Sequence, residues 1–206
     1  MAIGDERRQL YRDLVLDAAE AEFARVGFAD TKMAAVARAA DLSLTTVYKA
    51  FPGKAEIWND LHARRMAALL ALVDERTAEA SSPLDRLLTG IAAVAGFLVD
   101  HDAYLRLSLG ADAGWLTTTG STGVQRTVWG SGLEMIAAGV EASYAAGEIS
   151  DLRPRIAAGM VVSALQVWLA DWVESDRDRP AAEVVADLTD RLRILLTTPR
   201  PVQRRG

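Results

Sequence analysis

The 206-residue sequence contains no cysteine and only two histidines. The absence of cysteine excludes disulfide bonds, cysteine-based zinc fingers and cysteine nucleophiles. His62 and His101 lie far apart, with no metal-ligand spacing around either of them. The sequence therefore predicts neither a metal site nor a bound cofactor.

A long hydrophobic run is also missing. The N-terminal stretch MAIGDERRQLYRD has no apolar core of the kind that a signal peptide needs. The most apolar stretch, Ile156 to Ala170, is shorter than the roughly 20 residues that span a bilayer. We therefore expect a cytoplasmic protein that has no membrane partner.

The chain lacks an excess of basic residues. Its formal net charge is −5, and residues 1–54 contain eight Lys or Arg against eight Asp or Glu. This balance argues against nonspecific binding of nucleic acid through overall charge. Any DNA-binding surface must instead come from cations that are placed on one face.

Period-two alternation, which is typical of strands, is absent, whereas apolar residues recur every three or four positions. The pattern predicts an all-α chain. A first helix is expected over residues 6–26, with Gly27 as its C-cap. A second helix is expected from the N-cap Thr31 to Ala40.

A short turn over residues 40–42 then leads to Ser43, a second N-cap residue, and a third helix over residues 44–50. Phe51-Pro52-Gly53 interrupts the pattern, and a fourth helix is expected from Lys54 to about residue 75. Two short helices joined by such a turn are typical of a helix-turn-helix. Many helical bundles also contain short helix pairs, so the pattern alone leaves both interpretations open.

The residues of this region favour the first interpretation. The stretch from Leu14 to Ile57, LVLDAAEAEFARVGFADTKMAAVARAADLSLTTVYKAFPGKAEI, resembles the N-terminal region of TetR-type repressors, the tetracycline-repressor family. The matching positions are Ala18-Ala19, Phe23, Gly27-Phe28, Thr31, Val36-Ala37, Ala40, Leu42-Ser43, Thr46-Val47-Tyr48, Phe51, Lys54 and Ile57. The resemblance implies an N-terminal three-helix helix-turn-helix domain followed by a helical ligand-binding and dimerisation domain, with boundaries at 1–54 and 55–206.

Two positions depart from the family pattern. Asp41 stands where a glycine is usual in the turn, and aspartate tolerates the left-handed backbone region better than most residues. Leu44 opens the third helix, where the family often has a polar or basic residue. It can offer only an apolar contact, for example to a thymine methyl group.

The resemblance also implies which residues touch DNA. The start of the third helix should face the base edges in the major groove. We expect base contacts from Leu44, Thr45 and Lys49, although Lys49 could instead neutralise a phosphate. The expected phosphate contacts are Tyr48, which could alternatively be a core residue, and Thr31, Lys32, Thr46 and Lys54.

The C-terminal part is predicted to form helices over about 82–98, 104–109, 122–146, 154–175 and 181–197. The last two should pair with their symmetry mates in a homodimer, as the resemblance implies. An intramolecular role for the same apolar residues remains open. The predicted interface residues are Gly159, Ser163, Val185, Leu188, Leu192 and Leu195.

Aromatic and methionine side chains are frequent in this part, and four of the five tryptophans lie beyond residue 110. They can line a cavity for a small, hydrophobic effector, or they can simply fill the core. The candidate pocket residues are Phe97, Tyr104, Trp115, Trp129, Met135, Met160 and Trp168.

Two other classes of function agree less well with the sequence. The sequence has no glycine-rich phosphate loop and no nucleophile motif, so we do not expect an enzyme. A helical adaptor would leave the family-register residues Thr31, Tyr48 and Lys54 without a role. The sequence therefore predicts a repressor that binds double-stranded operator DNA and responds to a small molecule.

Overall fold

The computed structural model describes residues 2–109, 123–149 and 153–198 of the chain, with no side-chain description for residues 2, 3, 108, 109 and 123–131. Within these ranges the backbone forms nine helices and no strand. The all-α prediction is confirmed. The helices are α1 (Ala2–Val26), α2 (Met33–Ala39), α3 (Leu44–Ala50), α4 (Lys54–Thr77), α5 (Pro83–Asp100), α6 (Asp102–Leu109), α7 (Gly123–Ala145), α8 (Pro154–Glu174) and α9 (Ala181–Thr197).

Local signals set the ends of the N-terminal helices. Gly27 follows α1 with a φ of 86°, which is the left-handed conformation that glycine adopts without strain. Asp41 has a φ of 53° in the turn between α2 and α3, so this aspartate takes the conformation expected of it. Ser43 is the N-cap of α3, since its side chain accepts a hydrogen bond from the Thr46 N–H.

The start of α2 differs from the prediction. The helix begins at Met33, its N-cap is Lys32, and no side chain caps it. Thr31 is therefore not the N-cap, because its hydroxyl donates to Gly27 O instead, at 2.7 Å. A hydroxyl next to a helix end has other acceptors within reach, and here the preceding turn provides one.

The chain divides into two compact units. The first unit contains the described residues within Met1–Ala68 and His101–Ala113, and the second contains those within Leu69–Asp100 and Gly114–Gly206. The first unit thus extends beyond the predicted boundary at residue 54, because Ile57, Trp58 and Leu61 of α4 join its core. It also takes in α6, where Leu105 is buried and Leu107 packs against the same core.

The core of the first unit is formed by apolar side chains that three- and four-residue spacing brings to one side of each helix. The buried members are Val15, Leu16, Ala19, Phe23, Val36, Ala37, Val47, Phe51, Ile57, Trp58 and Leu61. On α3, only Val47 is buried. The other side chains of this helix are thereby left at or near the surface.

In the second unit, α7 packs against α5 and α8, and α9 packs against α5 and α8. By length and composition, α8 is the one helix of the described ranges that could cross a bilayer, with a mean hydropathy of 1.6. Its inner face is nevertheless covered within the unit. The buried residues of α8 are Ala157, Ala158, Val161, Val162, Leu165, Leu169 and Trp172.

Candidate functional site

One face of α3 is open to solvent although it carries large apolar groups. Leu44 is 41 % exposed and Tyr48 is 49 % exposed. Thr45 and Lys49 are exposed as well, and helical spacing places all four side chains on the same side of the helix. The alternative of a buried core tyrosine at position 48 is therefore wrong. The four predicted groups lie together on one accessible surface.

The remaining predicted residue of α3, Thr46, makes hydrogen bonds within the first turn of its own helix. Its Oγ1 lies 2.8 Å from the Ser43 Oγ, and its N–H donates to the same Ser43 oxygen at 3.0 Å. Thr46 is half-buried. Its side chain thus helps to close the first turn of α3, and a phosphate contact from its hydroxyl stays a prediction.

Thr31 does not present its side chain to solvent. Only 3 % of the residue is exposed, and its hydroxyl lies within hydrogen-bond distance of the carbonyl oxygens of Gly27 and Glu22. Its N–H donates to Gly27 O at 3.2 Å. These contacts fix the turn between α1 and α2. They do not support the predicted phosphate contact.

The two predicted phosphate-binding lysines differ in their surroundings. The Lys54 Nζ donates to Phe28 O and to Ala29 O, each at 2.8 Å, and lies 5.1 Å from the centroid of the Phe28 ring. Lys32 is exposed at the start of α2. Lys54 therefore ties the α1–α2 turn to the start of α4, whereas the Lys32 side chain extends into solvent beside the helix-turn-helix.

The predicted dimer residues of α9 divide into two groups. Leu188 and Leu192 are 1 % and 2 % exposed within a single chain, and Val185 is half-buried. Leu195 is 40 % exposed, and its neighbour Ile194 is 64 % exposed. The prediction that Leu188 and Leu192 face a partner is wrong, because α5 and α8 of the same chain cover that face.

The predicted dimer residues of α8 lie on a side of the helix that is open. A methyl group added at Gly159 would meet no atom within 4 Å. The Ser163 hydroxyl donates to Gly159 O at 2.8 Å, which satisfies it within its own helix. Ile156 and Val167 are 54 % and 61 % exposed on this helix. We call Ile156, Gly159, Ser163 and Val167 the α8 surface.

The predicted pocket residues do not form a single cluster in the described part of the chain. Met135 is 55 % exposed, and Met160 is half-buried. Phe97 is buried in the second unit, whereas Tyr104 belongs to the first. Trp115 lies outside the described residues. Trp129 lies in the part of α7 whose side chains are not described.

The indole of Trp168 joins two helices. Its Nε1–H donates to Asp187 Oδ2 at 2.9 Å, and this bond, together with Arg191, lowers the pKa of Asp187. Arg191 itself lies 5.9 Å from the ring centroid. This arrangement ties α8 to α9 in the second unit. It gives Trp168 a structural role and does not by itself indicate a ligand.

Polar pairs that the sequence did not predict hold the first unit together. The Tyr104 hydroxyl lies 2.6 Å from His62 Nδ1, and both residues are 2 % exposed. Burial lowers the pKa of His62 and raises that of Tyr104, so both groups stay uncharged near neutral pH. Arg65 donates to Glu20, a buried carboxylate of α1. No local pattern marks these pairs, because their members lie more than forty positions apart.

Arg12 is a further residue that the sequence did not reveal. Its Nη1 donates to Ala50 O at 2.7 Å, its Nη2 pairs with the Asp60 carboxylate, and its guanidinium lies 4.2 Å from the centroid of the Phe51 ring. These partners lie at the end of α3, just after it and on α4. Arg12 thus connects α1 to the helix that carries the exposed face.

Comparison with known proteins agrees with this geometry. Residues 15–61 match the family model described as bacterial regulatory proteins, tetR family. None of the curated proteins matches this sequence.

Solved structures of about the same length share the fold. The transcriptional regulator FadR from Bacillus subtilis, in complex with stearoyl-CoA, has a TM-score of 0.74 at 17 % identity, covering 87 % of this chain and 96 % of its own. The ketosteroid regulator KstR2 of Mycobacterium tuberculosis has a TM-score of 0.74 at 17 % identity, with coverage of 90 % and 94 %. AibR, in complex with isovaleryl coenzyme A and operator DNA, has a TM-score of 0.73 at 16 % identity, with coverage of 92 % and 99 %.

The match over residues 15–61 covers α2, α3, the turn between them and the parts of α1 and α4 that form the common core. The structural matches extend the similarity of fold to both units of the chain. Residues 15–61 therefore form an N-terminal domain of the tetR family of bacterial regulatory proteins, and the rest of the chain shares the fold of the solved structures.

Proposed function

We propose that this protein is a cytoplasmic, homodimeric repressor that leaves a palindromic operator when a small, hydrophobic ligand binds. The observation that carries the proposal is the exposed face of α3, where Leu44, Thr45, Tyr48 and Lys49 lie together. In a helix-turn-helix the second helix enters the major groove. We therefore call α3 the reading helix. Thr45 and Lys49 supply polar contacts to base edges, Leu44 an apolar one, and the hydroxyl of Tyr48 a contact to phosphate.

A two-fold dimer presents two reading helices in opposite directions, so the operator should be an inverted repeat. Its half-sites should lie about 34–36 Å apart, one helical turn of DNA, or a multiple of this distance. The α8 surface, together with Ile194 and Leu195 of α9, is the apolar surface that we assign to the dimer interface. Apolar groups of this size are exposed in one chain and become buried when two chains meet.

The proposed effector is a hydrophobic compound that binds in the second unit, and acyl-CoA thioesters are the first class to test. FadR and AibR were solved with stearoyl-CoA and isovaleryl coenzyme A. Helix α4 contributes residues to both units, and α6 returns the chain to the first unit after α5. A change in the second unit can thus reach the DNA-binding unit along the chain, through α4 and through the junction of α5 and α6.

Release requires that the ligand prefer the form that does not bind the operator. A hundredfold loss of operator affinity needs about 2.7 kcal/mol of differential binding. Burial of one large apolar group contributes about 1.5–3 kcal/mol, so an acyl chain of modest length is sufficient.

The experiment begins with selection of DNA from a random double-stranded pool by the full-length protein. Recovery of an inverted repeat is expected, and recovery of only unrelated sequences would contradict the DNA-binding proposal. A series of acyl-CoAs is then titrated into the complex with the selected operator, while DNA anisotropy and tryptophan emission are followed. Since the coupling is reciprocal, operator must weaken ligand binding by the same factor. Equal ligand affinity with and without operator would refute ligand release and leave DNA binding intact.

A further inference from the structure

Arg12 reaches from α1 to the end of the reading helix. Its Nη1 donates to the carbonyl of Ala50, the last residue of α3, at 2.7 Å. The other guanidinium nitrogen pairs with Asp60 on α4. The central carbon of the guanidinium lies over the Phe51 ring, 4.2 Å from its centroid. The side chain is 31 % exposed.

The chemistry of these contacts suits an arginine. The last carbonyl groups of a helix have no donor within the helix, and the dipole favours a cation at that end. A planar guanidinium can donate in two directions and still stack on an aromatic ring. A lysine in its place could make one of these contacts well, but not the three together.

We propose that Arg12 is a positioning residue for DNA recognition, which fixes the C-terminal end of the reading helix against α1 and α4. The proposal rests on the proposed function. Val47 and Phe51 anchor the inner side of this region in the core. The Arg12–Ala50 hydrogen bond adds a constraint at the end of α3, and with it the helix has a defined direction in the groove.

The two kinds of DNA contact depend differently on this direction. Hydrogen bonds to base edges require the side chains to meet atoms at fixed positions, whereas phosphate contacts mainly require charge. Loss of the Arg12 contacts should therefore weaken operator binding more than nonspecific binding. Loss of one good base contact corresponds to about a tenfold decrease in the ratio of operator to nonspecific affinity.

The test compares Arg12→Gln with Arg64→Gln. Arg64 also joins α4 to α1, through an ion pair of 2.7 Å with Asp17, and its side chain is similarly exposed, at 30 %. Both substitutions remove one positive charge and ion pairing between α1 and α4, which for Arg64 includes Glu20 at 3.9 Å as well as Asp17, but only Arg12 reaches α3. Affinities for the selected operator and for a scrambled duplex are measured by anisotropy at several salt concentrations. Partial unfolding lowers both affinities by the same factor, so their ratio reports on recognition alone.

We expect Arg12→Gln to decrease the ratio about tenfold and Arg64→Gln to change it less than about twofold. The salt dependence of nonspecific binding should stay at the wild-type slope. Arg12→Lys should resemble Arg12→Gln, because the charge is kept while the two-directional donation is lost. Wild-type recognition by Arg12→Lys together with a reduced salt slope in Arg12→Gln would show a direct phosphate contact and overturn the proposal. Equal ratios for Arg12→Gln and Arg64→Gln would overturn it too. If the wild-type protein itself showed no preference for the operator, the proposed function would fail instead.

Discussion

A glutamate at position 167 tests the assignment of the α8 surface to the dimer interface. Val167 is 61 % exposed in one chain, so a glutamate there is solvated in the monomer. The free energy of unfolding of the monomer should change by no more than about 0.5 kcal/mol, as is usual for surface substitutions. In a two-fold dimer, however, the substitution places two carboxylates in the interface.

The effect on the dimer can be estimated from the burial of these groups. Each carboxylate that loses water without gaining a partner costs several kcal/mol. Each valine that is replaced also gives up an apolar contribution of about 1 kcal/mol. A total of at least about 4 kcal/mol corresponds to a dimer that dissociates about a thousandfold more readily. Val167→Glu should therefore be a folded monomer at concentrations at which the wild-type protein is a dimer.

The assay combines sedimentation velocity with urea unfolding. Met135→Glu serves as the control, because Met135 is similarly exposed, at 55 %, but lies on α7. Leu192→Glu should behave differently from Val167→Glu, because Leu192 is only 2 % exposed within the chain. A carboxylate buried there should unfold the protein. A Val167→Glu protein that keeps the wild-type dimer dissociation constant would refute the interface. A folded Leu192→Glu monomer would refute our account of α9.

Four further predictions concern the first unit. Ser43→Ala should lower the free energy of unfolding in urea by about 1 kcal/mol, because the Thr46 N–H loses its acceptor; an unchanged value would show that the cap is dispensable. Lys54→Met should lower it by about 1–2 kcal/mol, because two carbonyls lose a charged donor. Lys32→Met should leave stability unchanged and instead reduce the slope of log DNA affinity against log salt concentration by about 0.9. A lower stability for Lys32→Met and a reduced salt slope for Lys54→Met would show that Lys54, and not Lys32, contacts phosphate. Burial lowers the pKa of His62 below its ordinary value of 6.5, so the unfolded chain binds a proton that the folded chain excludes as the pH falls below that value. Stability should then decrease with falling pH, by at most about 1.4 kcal/mol per pH unit from this group, and His62→Gln should remove that contribution.

The sequence was sufficient for features that depend on neighbouring residues. Ser43 marks the start of α3 because a hydroxyl can accept from an N–H three residues later. Gly27 marks the end of α1 because it can adopt a positive φ. Asp41 in the turn follows the same reasoning. Such signals need no knowledge of what packs against the helix, and for that reason both bounds of α3 were predicted correctly.

Features that depend on residues distant in the sequence were harder to predict. The spacing of Leu188 and Leu192 shows that one face of α9 is buried. The same spacing is expected whether that face packs against its own chain or against a partner chain. In the structure the cover comes from α5 and α8. Ile194 and Leu195 lie on the same helix but are exposed. Only the packing of α9 distinguishes them from the buried Leu188 and Leu192. The hydrogen-bond partner of Thr31 could not be predicted either, because a hydroxyl group has several possible acceptors within reach.

Arg12 is a residue whose contribution to the reading helix depends on partners that are distant in the sequence. Its position in α1 suggests only an exposed cation near the N-terminus, and its partners Ala50 and Asp60 lie 38 and 48 positions away. A short reading helix with one buried side chain, Val47, has little apolar contact with which to hold its direction. Polar contacts at its two ends, from Ser43 at the start and Arg12 at the finish, therefore add constraints on its placement. Because hydrogen bonds are directional and apolar contacts are not, these end contacts are the ones best suited to set the orientation that base recognition requires.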